Sequence, residues 1–148
     1  MATINTQYQV VEHSDYWVVP LEGKTVTRCL VDHAFVLELW EHAGTTTIRL
    51  EGGFVFQEPG REYQLSPTHP TALGPALSTV GKTIASAKGY KDGYLEVRFA
   101  DGSTLAVKPD AAYEAWEIAG TGGLRMVCTP GGSLSIWQPT GAVVSSSS

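Results

Sequence analysis

Residues 92–137 constrain the fold most, because a β-hairpin can be placed in them directly from the residue pattern. Between positions 95 and 100, apolar residues alternate with polar or small ones. This is the two-residue period of a strand with one buried face. Asp101-Gly102 supplies the left-handed backbone that a tight turn needs, and the alternation resumes over 105–107. This part of the chain therefore predicts antiparallel β-structure.

The other predicted elements have the same character, since short β-rich runs are separated by glycine, proline and aspartate. Thr129-Pro130-Gly131-Gly132 has the composition of a second hairpin turn. We expect further strands over 23–31, 35–40, 45–50, 54–56, 124–128 and 134–137. Residues 70–80 have helical spacing, and Gly74-Pro75 limits that helix to a few turns. At 148 residues, one domain over 1–140 can form a core, and the serine-rich end, 141–148, is expected to be disordered.

A weak internal repeat leaves two interpretations open. Gly23-Lys24-Thr25-Val26 recurs as Gly81-Lys82-Thr83-Ile84, 58 residues later, and the same offset separates Leu37 from Leu95. Either the chain contains two pseudo-repeats, about 20–57 and 78–137, or four matches arose by chance in a glycine-rich β protein. The predicted fold class is mainly β, or β-rich α+β. It consists of two stacked antiparallel β-meanders with one short helical segment.

Composition excludes several classes of function. The net charge is −5 and the ten basic residues are scattered, which argues against nucleic acid as a partner. No apolar run reaches the length of a membrane span, and the first residues lack a secretion signal, so we expect a cytoplasmic protein. Two distant cysteines form neither a disulfide framework nor a zinc motif, and no cofactor is expected.

No catalytic constellation emerges from the candidate residues. Cys128 alternates with apolar neighbours and is expected to be buried and structural, although a nucleophilic thiol is the alternative. Asp32-His33 fits a turn better than an oriented imidazole. Glu114 and Glu117 differ by an odd number of positions, which places them on opposite faces of a strand rather than in an acid–base pair.

Tryptophans and glutamates supply the candidates for a binding surface. We expect three tryptophans, at positions 40, 116 and 137, to pack mainly in the core, whereas Trp17 lies in the least regular segment and is the best candidate for an interface. The predicted partner-binding residues are Trp17, Glu38, Glu41, Glu51, Glu96 and Glu117.

Between Gly23 and Trp137 the chain resembles a bacterial family of small β-rich proteins of unknown function. Two motifs carry the resemblance: Tyr113-Glu114-Ala115-Trp116 and Cys128-Thr129-Pro130-Gly131-Gly132. The resemblance implies no chemistry, because no activity or catalytic residue set is established for such proteins. Size, acidity and β content are also similar, by analogy, to those of immunity proteins from bacterial toxin systems.

Two classes of function follow. The first is a non-enzymatic protein that binds another protein through an acidic face, with a toxin domain as the partner if the immunity analogy holds. The alternative is a small-ligand-binding or hydrolytic domain with a pocket between the two β halves. The absence of a catalytic constellation favours the first class.

Overall fold

A computed structural model describes residues 8–139 and 143–146, which form mainly strands. The strands are β1 Val11–Glu12, β2 Tyr16–Val18, β3 Arg28–Val31, β4 Phe35–Glu41, β5 Gly44–Leu50, β6 Phe54–Glu58, β7 Arg61–Leu65, β8 Ile84–Tyr90, β9 Leu95–Phe99, β10 Thr104–Val107, β11 Trp116–Ala119, β12 Arg125–Cys128, β13 Leu134–Trp137 and β14 Val143–Ser146. The helical elements are a 3₁₀ turn at Pro70–Leu73, the α-helix α1 at Gly74–Leu77 and a 3₁₀ turn at Thr121–Gly123. Strands account for 48% of the structure, so the predicted mainly-β class is confirmed.

The strands form two antiparallel sheets of seven strands each. Sheet I has the order β1-β2-β8-β9-β10-β6-β7, and sheet II has the order β14-β13-β12-β11-β5-β4-β3. Both predicted hairpins are present: β9 pairs with β10 across Asp101-Gly102, and β12 pairs with β13 across residues 129–133. Gly102 has a φ of +91°, the left-handed conformation for which glycine was expected there.

The two pseudo-repeats each contribute to both sheets. Strands β3, β4 and β5 lie side by side in sheet II, but the next strand, β6, crosses to sheet I and pairs with β10. In the second half β8, β9 and β10 lie in sheet I, and β11 crosses to sheet II to pair with β5. Each half therefore contributes strands to both sheets: the first half places β6 in sheet I, and the second places β11, β12 and β13 in sheet II.

The repeated tetrapeptides pair with each other. Thr25 and Thr83 form an antiparallel bridge, with their hydroxyl oxygens 3.1 Å apart. On either side, the amide of Ile84 donates to the Lys24 carbonyl, and the amide of Val26 donates to the Lys82 carbonyl. These two bonds are related by the same 58-residue offset, so the local geometry has a pseudo-twofold axis. A true sequence duplication remains a prediction.

One hydrophobic core lies between the sheets. The largest fully buried side chains include Trp116, Phe35, Phe56 and Phe99, which come from both sheets. Gly89 in β8 permits a close approach, since a Cβ there lies 2.7 Å from the Met126 sulfur of sheet II. Burial of apolar side chains between two sheets is the main source of stability in such a fold.

The structure differs from the sequence-based expectations in several elements. No strand was predicted over β1 or β8, and β8 contains Ala85, Ala87 and Gly89, which have low strand propensity. β7 was not predicted, because it is an edge strand with polar residues on its exposed face. The helical segment ends at Leu77, and it buries Leu73 and Ala76 against the core. Within the expected disordered end, 141–148, the structure describes β14 paired with β13, and residues 141, 142, 147 and 148 lie outside the described part.

Candidate functional site

Trp116 and Cys128, one residue from each of the two motifs noted in the sequence, meet at one buried backbone carbonyl, that of Gly93. Gly93 lies in the turn between β8 and β9 of sheet I. The indole Nε1–H of Trp116 donates to its oxygen over 2.8 Å, and the Cys128 thiol lies 3.4 Å from the same oxygen. Both donors belong to sheet II and both side chains are fully buried. Trp116 and Cys128 therefore join the two sheets.

Glycines allow this contact to form. Gly93 and Gly132 have φ values of +99° and +101°, and a Cβ on Gly132 lies only 2.5 Å from the Asp92 carbonyl oxygen. The neighbouring Gly131 donates its amide to the Asp110 carbonyl oxygen over 2.8 Å. The Pro-Gly-Gly sequence is thus a turn packed directly against the opposite sheet.

The expectation that Cys128 is buried is confirmed. The pKa of the thiol is raised to about 11, mainly by burial; a backbone hydrogen bond at Ala115 lowers it, and the carboxylates of Asp92 and Glu114 raise it. A thiol with that pKa is almost entirely protonated at neutral pH, and the thiolate is the nucleophilic form. Cys128 therefore stabilises the structure without the properties of a catalytic nucleophile.

The remaining catalytic candidates are separate from one another. Asp32 and His33 lie in the turn between β3 and β4, as expected, and the Asp32 carboxylate accepts the Ala34 amide over 2.7 Å. Glu117 forms an ion pair of 2.9 Å with Arg125, whereas Glu114 is exposed before β11 begins. Over residues 8–139, no group of three or more His, Cys, Asp or Glu side chains is arranged to hold a metal ion.

Trp17 and Trp40 have the opposite of their expected positions. Trp17 is only 4% exposed and packs in the core, so the interface position predicted for it is wrong. Its indole N–H has no acceptor among the described residues. Trp40 is 53% exposed on the outer face of sheet II, whereas core packing was expected for it. Trp116 is buried as expected, and Trp137 is half-buried.

Trp40 is held in place by two charged neighbours. The Arg28 guanidinium lies over its ring, 5.3 Å from the centroid, and its Nε1–H donates to the Glu38 carboxylate over 3.0 Å. Arg28 also donates to that carboxylate over 2.6 Å. The hydrogen bonds from Arg28 and then Trp40 lower the pKa of Glu38, which keeps it charged. We call Arg28, Leu30, Glu38 and Trp40 the Trp40 patch.

The predicted acidic residues do not form one acidic face. Glu96 lies in β9 of sheet I, whereas the other four belong to or adjoin strands of sheet II. Each of those four is matched by a cation: Glu38 by Arg28, Glu41 by Lys24, Glu51 by Arg49 and Glu117 by Arg125. Glu38 is also only 9% exposed. Ion pairs thus neutralise the four carboxylates of sheet II locally, and the structure does not gather the predicted residues into one acidic face.

A groove of about 570 Å³ lies where β6, β7 and β10 meet the segment after β7. Its lining includes the apolar residues Phe54, Val55 and Ala106 and the polar residues His69 and Lys108. The residues come from both pseudo-repeats and from the segment between them. Sequence reasoning did not locate this groove.

The chain belongs to a family of unknown function, DUF6188, which matches residues 17–138. This match covers most of the chain and includes both identifying motifs. No curated protein and no solved structure matches the chain. None of the helices in the described residues has the length and apolarity to cross a membrane.

The contact between the Pro-Gly-Gly turn and sheet I predicts different effects at two adjacent glycines. Gly131→Ala and Gly132→Ala each force a residue with a side chain into the left-handed backbone conformation, which lowers the free energy of unfolding by about 1–2 kcal/mol. Only Gly132→Ala also meets the Asp92 carbonyl, since a Cβ at Gly131 contacts nothing within 4 Å. We expect the free energy of unfolding of Gly132→Ala to be lower than that of Gly131→Ala by about 1–3 kcal/mol. Urea unfolding measures both variants, and equal losses contradict the contact.

Burial of the Cys128 thiol predicts a loss of stability in alkali. The unfolded thiol ionises near its ordinary pKa of 9.0, whereas the folded thiol keeps its proton up to about 11. The native state thus binds more protons in this window, so the free energy of unfolding falls as the pH rises from 9 to 11.

Cys128→Ala is the control, since it keeps the alkaline response of the tyrosines. The difference in unfolding free energy between wild type and Cys128→Ala should narrow between pH 9 and 11 if the mutation destabilises at neutral pH. A difference independent of pH contradicts the raised pKa.

Proposed function

We propose that this protein acts by binding another protein, without catalysis, and that the Trp40 patch is its contact surface. The observation that carries the proposal is a half-exposed tryptophan fixed by an arginine and a glutamate. Tryptophan and arginine are the residue types most enriched at binding hot spots. A pre-ordered aromatic side chain also loses little conformational entropy when a partner covers it.

The charge of the patch indicates how a partner is recognised. Arg28 and Glu38 neutralise each other, and so do Lys24 and Glu41 beside them. The contact is therefore expected to depend on apolar area and shape at its centre, while the overall charge of −5 favours a basic partner at longer range.

The partner that we propose is a toxin domain, which makes the protein an immunity factor of the bacterial cytoplasm. The support is the analogy in size, acidity and β content, together with the lack of a catalytic constellation among the described residues. This version predicts a gene for a secreted toxin directly upstream, and finding one would support it independently.

Substitution of Trp40 tests the proposed contact surface. The tagged protein is used to capture partners from its native host, and binding of each captured protein is then measured with purified wild type, Trp40→Ala and Tyr113→Ala. Tyr113 is a matched control, because it is 43% exposed but lies outside the Trp40 patch. We expect Trp40→Ala to weaken binding by at least tenfold, which corresponds to about 1.4 kcal/mol.

The outcome is interpretable only if the variant is folded, which circular dichroism and thermal unfolding establish. Equal affinity of wild type and Trp40→Ala for every captured partner contradicts the Trp40 patch as contact surface. Turnover of a substrate that is abolished by Cys128→Ala or His33→Ala contradicts the non-enzymatic proposal itself.

The groove supports small-ligand binding as a second candidate function. An apolar floor with a lysine and a histidine on its lining suits a small apolar molecule that carries an acidic group. This is the alternative that the sequence analysis left open, although the groove lies within sheet I and the segment after β7 and not between the sheets.

A panel of aromatic carboxylates, measured by thermal shift, tests this second candidate. We expect at least one compound to raise the midpoint of unfolding of wild type but not of Lys108→Ala, with Lys88→Ala as the control for loss of a lysine elsewhere. The absence of any shift, or the same shift in Lys108→Ala, contradicts a ligand site in the groove.

A further inference from the structure

Strand β3 ends sheet II with a side that no strand of the described residues covers. Leu30 and Val31 in it are 38% and 42% exposed. The equivalent outer strand of sheet I, β7, carries Arg61, Glu62 and Gln64 on its exposed positions instead. Charged edge residues of that kind prevent a sheet from pairing with another chain, and β3 lacks them at its centre.

The hydrogen-bond pattern identifies the free backbone groups of β3. The Asp32 amide donates to the Ala34 carbonyl, which makes 32 and 34 a hydrogen-bonded pair. Because such pairs alternate, Leu30–Val36 and Arg28–Glu38 are also bonded. The N–H and C=O groups of Cys29 and Val31 therefore point away from β4, toward the open side.

The register of β4 with its other neighbour agrees with this assignment. β4 and β5 are joined by a two-residue turn, with Glu41 opposite Gly44. Because hydrogen-bonded pairs alternate along the strands from that turn, the odd-numbered residues of β4, such as Leu37 and Leu39, bond with β5. The even-numbered residues are left to bond with β3, as required.

We propose that β3 pairs antiparallel with β3 of a second copy of this chain, about a twofold axis at Leu30. In this register Cys29 of each copy lies opposite Val31 of the partner subunit. The two N–H and two C=O groups of each such pair then form two hydrogen bonds. The two Leu30 side chains meet at the axis. Arg28 lies opposite Asp32 of the partner subunit, which gives two cross-strand charge pairs.

Charge selects this register over the two neighbouring ones, in which Cys29 or Val31 pairs with its own copy in the partner subunit. A twofold axis at Cys29 places Arg28 opposite Leu30 of the partner subunit, and an axis at Val31 places it opposite Ala34. Both leave the charges without an opposite partner. The side chains of Arg28 and Asp32 are 54% and 58% exposed, so each can reach across the strand pair while keeping its contact within the chain.

Two further apolar residues border the same edge. The Thr79 hydroxyl lies 3.4 Å from the Cys29 sulfur, which places the end of the helical segment beside β3. Leu77 and Val80, on either side of it, are 47% and 48% exposed. Pairing of β3 covers apolar surface on both faces of the strand, which adds to the backbone hydrogen bonds.

The dimer goes beyond the proposed function and does not depend on it. Because the axis is perpendicular to the sheet, two copies of sheet II join into one continuous sheet whose outer face carries two Trp40 patches. A partner with two equivalent sites, or two partners, can then bind side by side.

Disulfide trapping tests the register directly. In a non-hydrogen-bonded antiparallel pair the Cα atoms lie about 4.5 Å apart, within the range of about 4.4–6.8 Å that a disulfide accepts. Leu30→Cys in a Cys29→Ala background should therefore form a linked dimer under mild oxidation. Gln64→Cys in the same background, on the exposed edge β7, is the control and should stay monomeric.

A second variant tests the dimer without crosslinking. Leu30→Lys places two like charges together at the axis, whereas Gln64→Lys adds the same charge at β7. By sedimentation velocity over a concentration series, wild type and Gln64→Lys should dimerise, whereas Leu30→Lys should be monomeric and still folded by circular dichroism. A monomeric wild type at every concentration, an unchanged dimer in Leu30→Lys, or linkage no greater than for Gln64→Cys overturns the proposal.

Discussion

The contact of Trp116 and Cys128 with the Gly93 carbonyl is the interaction on which the arrangement of the two sheets depends. A buried N–H without an acceptor costs about 1–3 kcal/mol, so the indole of Trp116 fixes where the β8–β9 turn must lie. Because Gly93 and Gly132 have no side chains, the β8–β9 turn and the Pro-Gly-Gly turn can come into direct contact. One residue of each of the two sequence motifs, Trp116 and Cys128, thus serves the same contact between sheets.

The same contact keeps Trp116 and Cys128 away from the surface of the protein. A nucleophilic cysteine needs a stabilised thiolate, whereas burial at this position raises the pKa of the thiol. A tryptophan at a binding surface needs exposure, and Trp116 is fully buried. Trp40 and Leu30, in contrast to the buried Trp116 and Cys128, have the exposure that a contact residue needs.

The sequence predicts the local elements well and their assembly poorly. Alternation and turn residues locate the hairpins at 101–102 and 129–133, because both signals act over a few neighbouring residues. β6 and β11 each cross from the sheet of the preceding strand to the other sheet. These crossings depend on packing over the whole chain, which no local pattern encodes. Trp17 and Trp40 were misplaced for the same reason, since both lie in strands and only the neighbouring elements decide which one is covered. The ion pairs that neutralise Glu38 and Glu117 join different strands and are likewise absent from the local pattern.

Hydrogen exchange of the tryptophan indole N–H groups, followed by NMR, tests the central contact most directly. The buried Trp116 N–H bonded to Gly93 should exchange only through global unfolding, so its exchange free energy should equal the free energy of unfolding and fall equally with added urea. The N–H of Trp40, on the surface, should exchange much faster in the same sample. If the Trp116 N–H exchanges as fast as that of Trp40, the contact does not hold the two sheets together.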